Sequence, residues 1–177
     1  MSGRSRWIMA LVLAGCGHRA VAPPAMPSPA SEFRRLELPG FSIDVLAGLG
    51  MGDGNIADYR AGDVTMLGSG RLLEVSWHVG SLYLGDQLTQ VVRARMAASF
   101  QGHRYELRAP QTTAAGVHLA GVLEFTIDDR EFAFANIGCG ERVVVVVIGG
   151  PQLAALRAHV LRSFDCRPVP ATELALQ

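Results

Sequence analysis

CGERVVVVVIGGPQLAALRAHVLRSFDC, residues 139–166, is the stretch on which the fold turns. Val143–Ile148 is apolar, short and β-branched, which suits a strand covered on both faces better than a helix. Gly149-Gly150-Pro151 breaks the run. A helical pattern follows to Phe164, with Leu153, Leu156, Val160, Leu161 and Phe164 as its buried stripe. Gln152, Ala155, His159 and Arg162 are expected to face out. The reading is a central strand of a sheet with the last helix packed on one face.

Working back from it, Val117–Ile127 and Glu131–Ile137 read as strands joined by the tight turn Asp128-Asp129-Arg130. With the valine strand they form a three-stranded antiparallel meander over 117–148. Val117, Leu119, Leu123, Phe125 and Ile127 are expected on its inward face, with Phe132 and Phe134 opposite Ala133, Ala135 and Ile137. A further strand is expected at about His103–Arg108. Before it, Leu88, Val91, Val92, Met96 and Phe100 fall at helical spacing, with Asp86 as N-cap and Gly102 ending the segment. Arg71–Val79 alternates cleanly, and predicts a hairpin with Asp63–Leu67 across Gly68-Ser69-Gly70. Leu36, Leu38, Phe41, Ile43 and Val45 alternate as a first strand, with Pro39-Gly40 as a turn or bulge.

The chain has 177 residues, enough for one domain with a real core. Hydrophobic content of 49% against 18% charged places it among globular rather than disordered chains. Sixteen basic residues balance sixteen acidic ones, so no global field recruits nucleic acid. Every one of these basic residues is Arg and Lys is absent, a bias that GC-rich coding explains better than function does.

The N-terminus carries an address. Arg4 and Arg6 precede a short apolar run, Trp7–Ala14, too short to span a bilayer. Leu13-Ala14-Gly15-Cys16 resembles the lipobox of bacterial lipoproteins. That resemblance implies a signal peptide over 1–15 and an acylated Cys16 held on the membrane. Gly17, rather than Asp, implies sorting to the outer membrane. An ordinary signal peptide or an uncleaved anchor is the alternative. Residues 16–34 are rich in Pro, Ala and Ser and read as a tether, or else as a Pro-rich ligand for a partner. The single domain is expected over 35–167, followed by a loose tail over 168–177.

Candidate sites are few. Cys139 and Cys166 flank the strand–helix unit, and an exported chain meets oxidising conditions, so a disulfide between them is expected. It would close about 27 residues and contribute roughly 3 kcal/mol. A metal pair with a histidine is the rival, but no Cys-x-x-Cys or His-x₃-His spacing supports it. No metal and no cofactor is expected. The glycine run Gly48–Gly54 could cradle a phosphate or, with Asp53, Asn55 and Asp58, a calcium ion. A strand over Ala57–Leu67 is expected after it and Val64 stands where the calcium loop needs Glu, so a mobile turn is the simpler reading. Arg93, Arg95, Arg104 and Arg108 form either a solvated face or an anion patch. Of the five histidines, His18 lies in the tether, and His103 and His159 carry no motif. His78 and His118 could join Ser76 or Asp58 in a triad. No nucleophile elbow is present. Trp77 and the phenylalanines could line an apolar pocket between sheet and helix.

The order of strands and helices, closing on an amphipathic helix that ends in Ser163-Phe164, resembles the PsbP-like α/β/α sandwich over about residues 36–165. That resemblance implies an α+β fold: an antiparallel sheet of six to seven strands with helices packed on it. Where that family often has a tryptophan soon after its first strand, this chain has the glycine run. The resemblance also implies a non-catalytic accessory or binding protein. Three roles follow: a lipid-anchored periplasmic protein docking to an envelope partner, a small-ligand or lipid carrier, or an envelope hydrolase using His78 or His118.

Overall fold

The computed structural model describes residues 32–167. The signal segment 1–15, Cys16, most of the tether and the tail 168–177 lie outside the described residues. At the centre is β10 (Arg142–Gly149), hydrogen-bonded to β5 (Arg71–Val79) on one side and β9 (Arg130–Cys139) on the other, both antiparallel. Every residue of β10 is buried. Val144, Val146 and Ile148 enter one core, while Val143, Val145 and Val147 enter a second. The β-branched run thus fills both faces of a pleat, as its composition predicts.

Around β10 the eight-stranded sheet runs β3 (Gly50–Asn55), β4 (Gly62–Gly68), β5, β10, β9, β8 (His118–Ile127), β6 (Tyr105–Leu107), with β7 (Gln111–Ala115) also pairing with β8. One face is covered by α1 (Gly85–Ser99), through Leu88, Val92 and Met96 against Leu123, Phe125, Phe134 and the odd-numbered valines. The other is covered by α2 (Leu153–Ser163) and a three-stranded sheet of β1 (Phe33–Leu38), β2 (Phe41–Leu46) and β11 (Asp165–Cys166). The α+β sandwich expected from the sequence is present, with one more strand in the main sheet and a second small sheet.

Three expectations about elements change. The alternation over 36–45 is two strands, because Gly40 at φ +75° reverses the chain and pairs Leu38 with Phe41. The glycine run is not a mobile turn: Gly50–Asn55 is edge strand β3, fully exposed and bulged between Met51 and Gly54. A Cβ at Gly54 would lie 2.4 Å from the Asp63 carbonyl oxygen, so the close pairing there excludes a side chain at that position. The strand expected after it begins only at Gly62, and β7 was not foreseen.

Local details differ too. Asp86 lies in the first turn of α1 rather than at its N-cap, which is Leu84. Val91 is partly exposed, while Val117 and Leu119 are 95% and 49% exposed instead of inward. Val117 lies in the turn before β8, and Leu119 near the strand's start stands outside the cluster in which Leu123, Phe125 and Ile127 pack with α1. The meander is present, and so are the two expected hairpin turns, one at β4–β5 and one at β8–β9. Ser69-Gly70 and Asp128-Asp129 all have positive φ, the mirror-image turn geometry that two-residue hairpins favour.

Candidate functional site

Three turns meet at one end of the main sheet: β4–β5, β8–β9 and β10–α2. Between them lies a cleft of about 790 Å³ lined by Leu67, Arg71, Leu72, Arg130, Phe132 and Pro151, among others. Its floor follows from strand register. Gly149 pairs with both Leu72 and Phe132, and the Phe132 ring lies across the space a Gly149 side chain would need. Leu67, opposite Leu72 on β4, is 57% exposed at the rim.

The charges around this cleft are unequal in their partners. Asp129 pairs with Arg104 at 3.1 Å and Glu131 with Arg108 at 2.8 Å. Arg71 donates to the Gln152 side-chain oxygen at 3.3 Å, and its Nε is buried without an acceptor. Among the described residues neither Arg71 nor Arg130 pairs with a carboxylate. The cleft therefore couples an apolar floor to two uncompensated cations, a surface suited to an acidic, partly apolar segment.

Of the two readings of the Arg93, Arg95, Arg104 and Arg108 cluster, the anion patch is not assembled. Arg95 pairs with Glu74, Arg104 with Asp129, and Arg108 with both Glu124 and Glu131. Glu124 also receives Arg157 from α2, which ties that helix to β8. Hydrogen bonds from Arg108 to Glu124 and then Glu131 hold its guanidinium above the ordinary arginine value. Arg93 stands exposed on α1, apart from these pairs.

The histidines do not converge. His78 shares the α1-side face of β5 with Leu72 and Ser76, whereas His118 shares the opposite face of β8 with Ala120 and Val122 and packs edge-on to Phe164 at 5.6 Å. The sheet separates them. Asp58 is engaged locally: its carboxylate accepts the Arg60 amide and its carbonyl accepts the Trp77 indole N–H. His159, expected to face out, stacks on Phe33 at 3.7 Å, with Asp44 3.3 Å from its Nε2. His103 donates to Asp128, whose carboxylate also accepts the Arg104 amide. Those bonds, the His103 one first, hold the Asp128 carboxyl below the usual carboxylate range. Among the described residues no group of three metal-ligating side chains gathers.

An apolar pocket does lie between sheet and helix, lined by Met96, Phe100, Phe125, Phe132, Phe134 and Val147, with Glu74 and Arg95 beside it. At about 220 Å³ it falls below the roughly 300 Å³ where small-molecule sites usually begin.

The feature that sequence reading missed is Arg142. It is 1% exposed at the start of β10. Its guanidinium donates to the carbonyls of Pro39 at 2.7 Å, Tyr59 at 2.8 Å and Gly40 at 3.3 Å, and lies 3.7 Å from the centre of the Tyr59 ring. Beside it Cys139 and Cys166 are joined as a disulfide, as expected, with Cα atoms 5.7 Å apart. Burial pushes the Arg142 guanidinium below its ordinary value, while Tyr59 and Glu141 pull the other way. In sequence Arg142 is one of sixteen arginines, and its only signal is its place directly before the valine run.

No family model matches the sequence, and no curated protein does. Among solved structures the chain is similar to cyanobacterial PsbP (CyanoP) from Synechocystis sp. PCC 6803, with a TM-score of 0.60 and 15% identity over 87% of this chain and 98% of that one. At that identity the likeness establishes the fold, which is PsbP-like.

Proposed function

On a PsbP-like fold with a cleft that joins an apolar floor to two arginines lacking a carboxylate partner, we propose that this chain is a non-catalytic accessory protein of the bacterial envelope. Acyl chains on Cys16 hold it at the periplasmic face of the outer membrane. It docks an acidic, partly apolar segment of an envelope protein between the β4–β5 and β8–β9 turns. The observation that carries this reading is the pairing of exposed Leu67 with Arg71 and Arg130, in a cleft whose two acids are matched by other arginines. The anchor rests on Leu13-Ala14-Gly15-Cys16 alone. The non-catalytic reading is supported by where the reactive side chains go: His103, His159 and Asp58 are engaged in turns and packing, and His78 and His118 lie on opposite sheet faces.

The test uses the full chain in its own envelope. A photo-crosslinking residue at Leu67 should give one discrete adduct, lost in Arg71→Glu/Arg130→Glu. The same residue at Val117, 95% exposed and away from the cleft, should give none. Adducts at both positions, or at neither, overturn the docking site. Intact mass spectrometry should find acyl mass that Cys16→Ser abolishes, and an unmodified chain overturns the anchor. The carrier reading is favoured only by the apolar pocket under α1. Native mass spectrometry showing a bound small molecule after mild purification would favour it instead.

A further inference from the structure

We propose that the Cys139–Cys166 bond is a reducible latch on the C-terminal strand β11, opened by an external dithiol and favoured in its open form by Arg142 as counter-ion to the Cys139 thiolate. A buried guanidinium is costly unless an anion accompanies it. Arg142 has carbonyls and a ring around it, yet among the described residues no carboxylate pairs with it. One of its terminal nitrogens lies 3.6 Å from the Cys139 sulfur. In the disulfide that sulfur is neutral. Once reduced it can set a negative charge directly against the guanidinium, where among the described residues no carboxylate lies within ion-pair distance. The other charged or titratable groups around the cage are Tyr59, Glu141 on the exposed turn, and Asp165 and Arg167, which pair with each other at 2.9 Å.

The geometry also orders the exchange. Both cysteines are buried, but Cys166 at 9% exposed is the more accessible of the two against 1% for Cys139, which makes the Cys166 sulfur the one to attack in this proposal. The incoming thiolate bonds to Cys166, the disulfide breaks, and Cys139 departs as a thiolate beside Arg142. A leaving thiol of lower pKa departs faster. The second thiol of the dithiol then closes on its partner sulfur and releases Cys166, which takes up a proton. Two electrons have passed from the dithiol to the protein. β11 then keeps its short pairing with β2, Asp165 to Ser42 and Cys166 to Phe41, the Arg167 amide on the Gly40 carbonyl and the Arg35–Asp165 ion pair at 3.9 Å, but loses its covalent tie to the main sheet.

The latch is independent of the docking reading. Its test takes the purified full chain through mixtures of reduced and oxidised dithiothreitol, with thiols trapped by alkylation and folding checked by circular dichroism. In the reduced protein one thiol should ionise about tenfold more readily than an ordinary cysteine. Thiolate absorbance against pH reads this directly. Arg142→Met should shift the dithiol–disulfide equilibrium about tenfold towards the disulfide, while Arg142→Lys keeps most of the effect. Hydrogen exchange at Ser42 should quicken on reduction. Ordinary ionisation of both thiols in the wild type overturns the proposal, whether or not Arg142→Met folds. So does an unchanged equilibrium in a folded Arg142→Met. A purely bracing arginine would move stability and leave both readouts still.

Discussion

At the scale of single residues, the fold depends on places where a side chain is missing so that an aromatic ring can lie down. Gly62 pairs with Trp77 and Gly149 with Phe132, and a Cβ at either would meet the ring at 2.2 and 2.5 Å. Gly149→Val should therefore cost about 2 kcal/mol in urea denaturation, the usual scale of overpacking. Adding Phe132→Ala should relieve the clash, so the double variant loses less than the sum of the two singles. A strictly additive pair would show that the ring does not occupy that space. Asp128 makes a second residue-level prediction. Its folded pKa is depressed, so its contribution is present above the unfolded value of about 3.9 and is lost as pH falls through the folded value. Asp128→Asn should melt below the wild type at neutral pH, and thermal scans should show the gap closing in strong acid. A gap independent of pH would remove the carboxylate from the account.

At the scale of elements, burial on two faces separates β10 from its neighbour β5. Losing two methylene-sized groups costs about 1.6 kcal/mol in transfer alone, and the cavity adds to it. Val145→Ala and Val146→Ala, on opposite faces, should each cost about 2–3 kcal/mol. Leu72→Ala, on the half-open face of β5, should cost about 1 kcal/mol. Equal losses at all three sites would mean that α1 covers more of the sheet than the packing indicates. This asymmetry was legible in the sequence, because a continuous β-branched run and a polar–apolar alternation carry different signatures. The β3 edge was not. Gly50–Asn55 has no apolar period, and only the adjacent β4 backbone makes it a strand. β7 escaped for the same reason, with four of its five residues exposed.

At the scale of the molecule, the main sheet and the small three-stranded sheet are fastened at one end by the disulfide and Arg142. Cys139→Ala/Cys166→Ala should lose about 3 kcal/mol in chemical denaturation, from the freedom returned to the unfolded chain. A loss below about 1 kcal/mol would mean that the Arg142 cage already holds that end closed. At the other end is the cleft. Its arginines come from turns far apart in the chain, Arg71 after β4 and Arg130 after β8, so no local spacing could announce them.

Sequence alone determined the central strand, the meander, both hairpin turns, the amphipathic stripe of the last helix and the cysteine pairing. Each is written in short-range periodicity, in turn chemistry, or in the small number of cysteines. Tertiary structure alone decided which arginines are spent on carboxylates and which remain unpaired. It also set the sheet between His78 and His118, and placed a buried cation against the Cys139 sulfur. Charge and packing act through space, and contacts between residues a hundred positions apart leave no local mark on the chain.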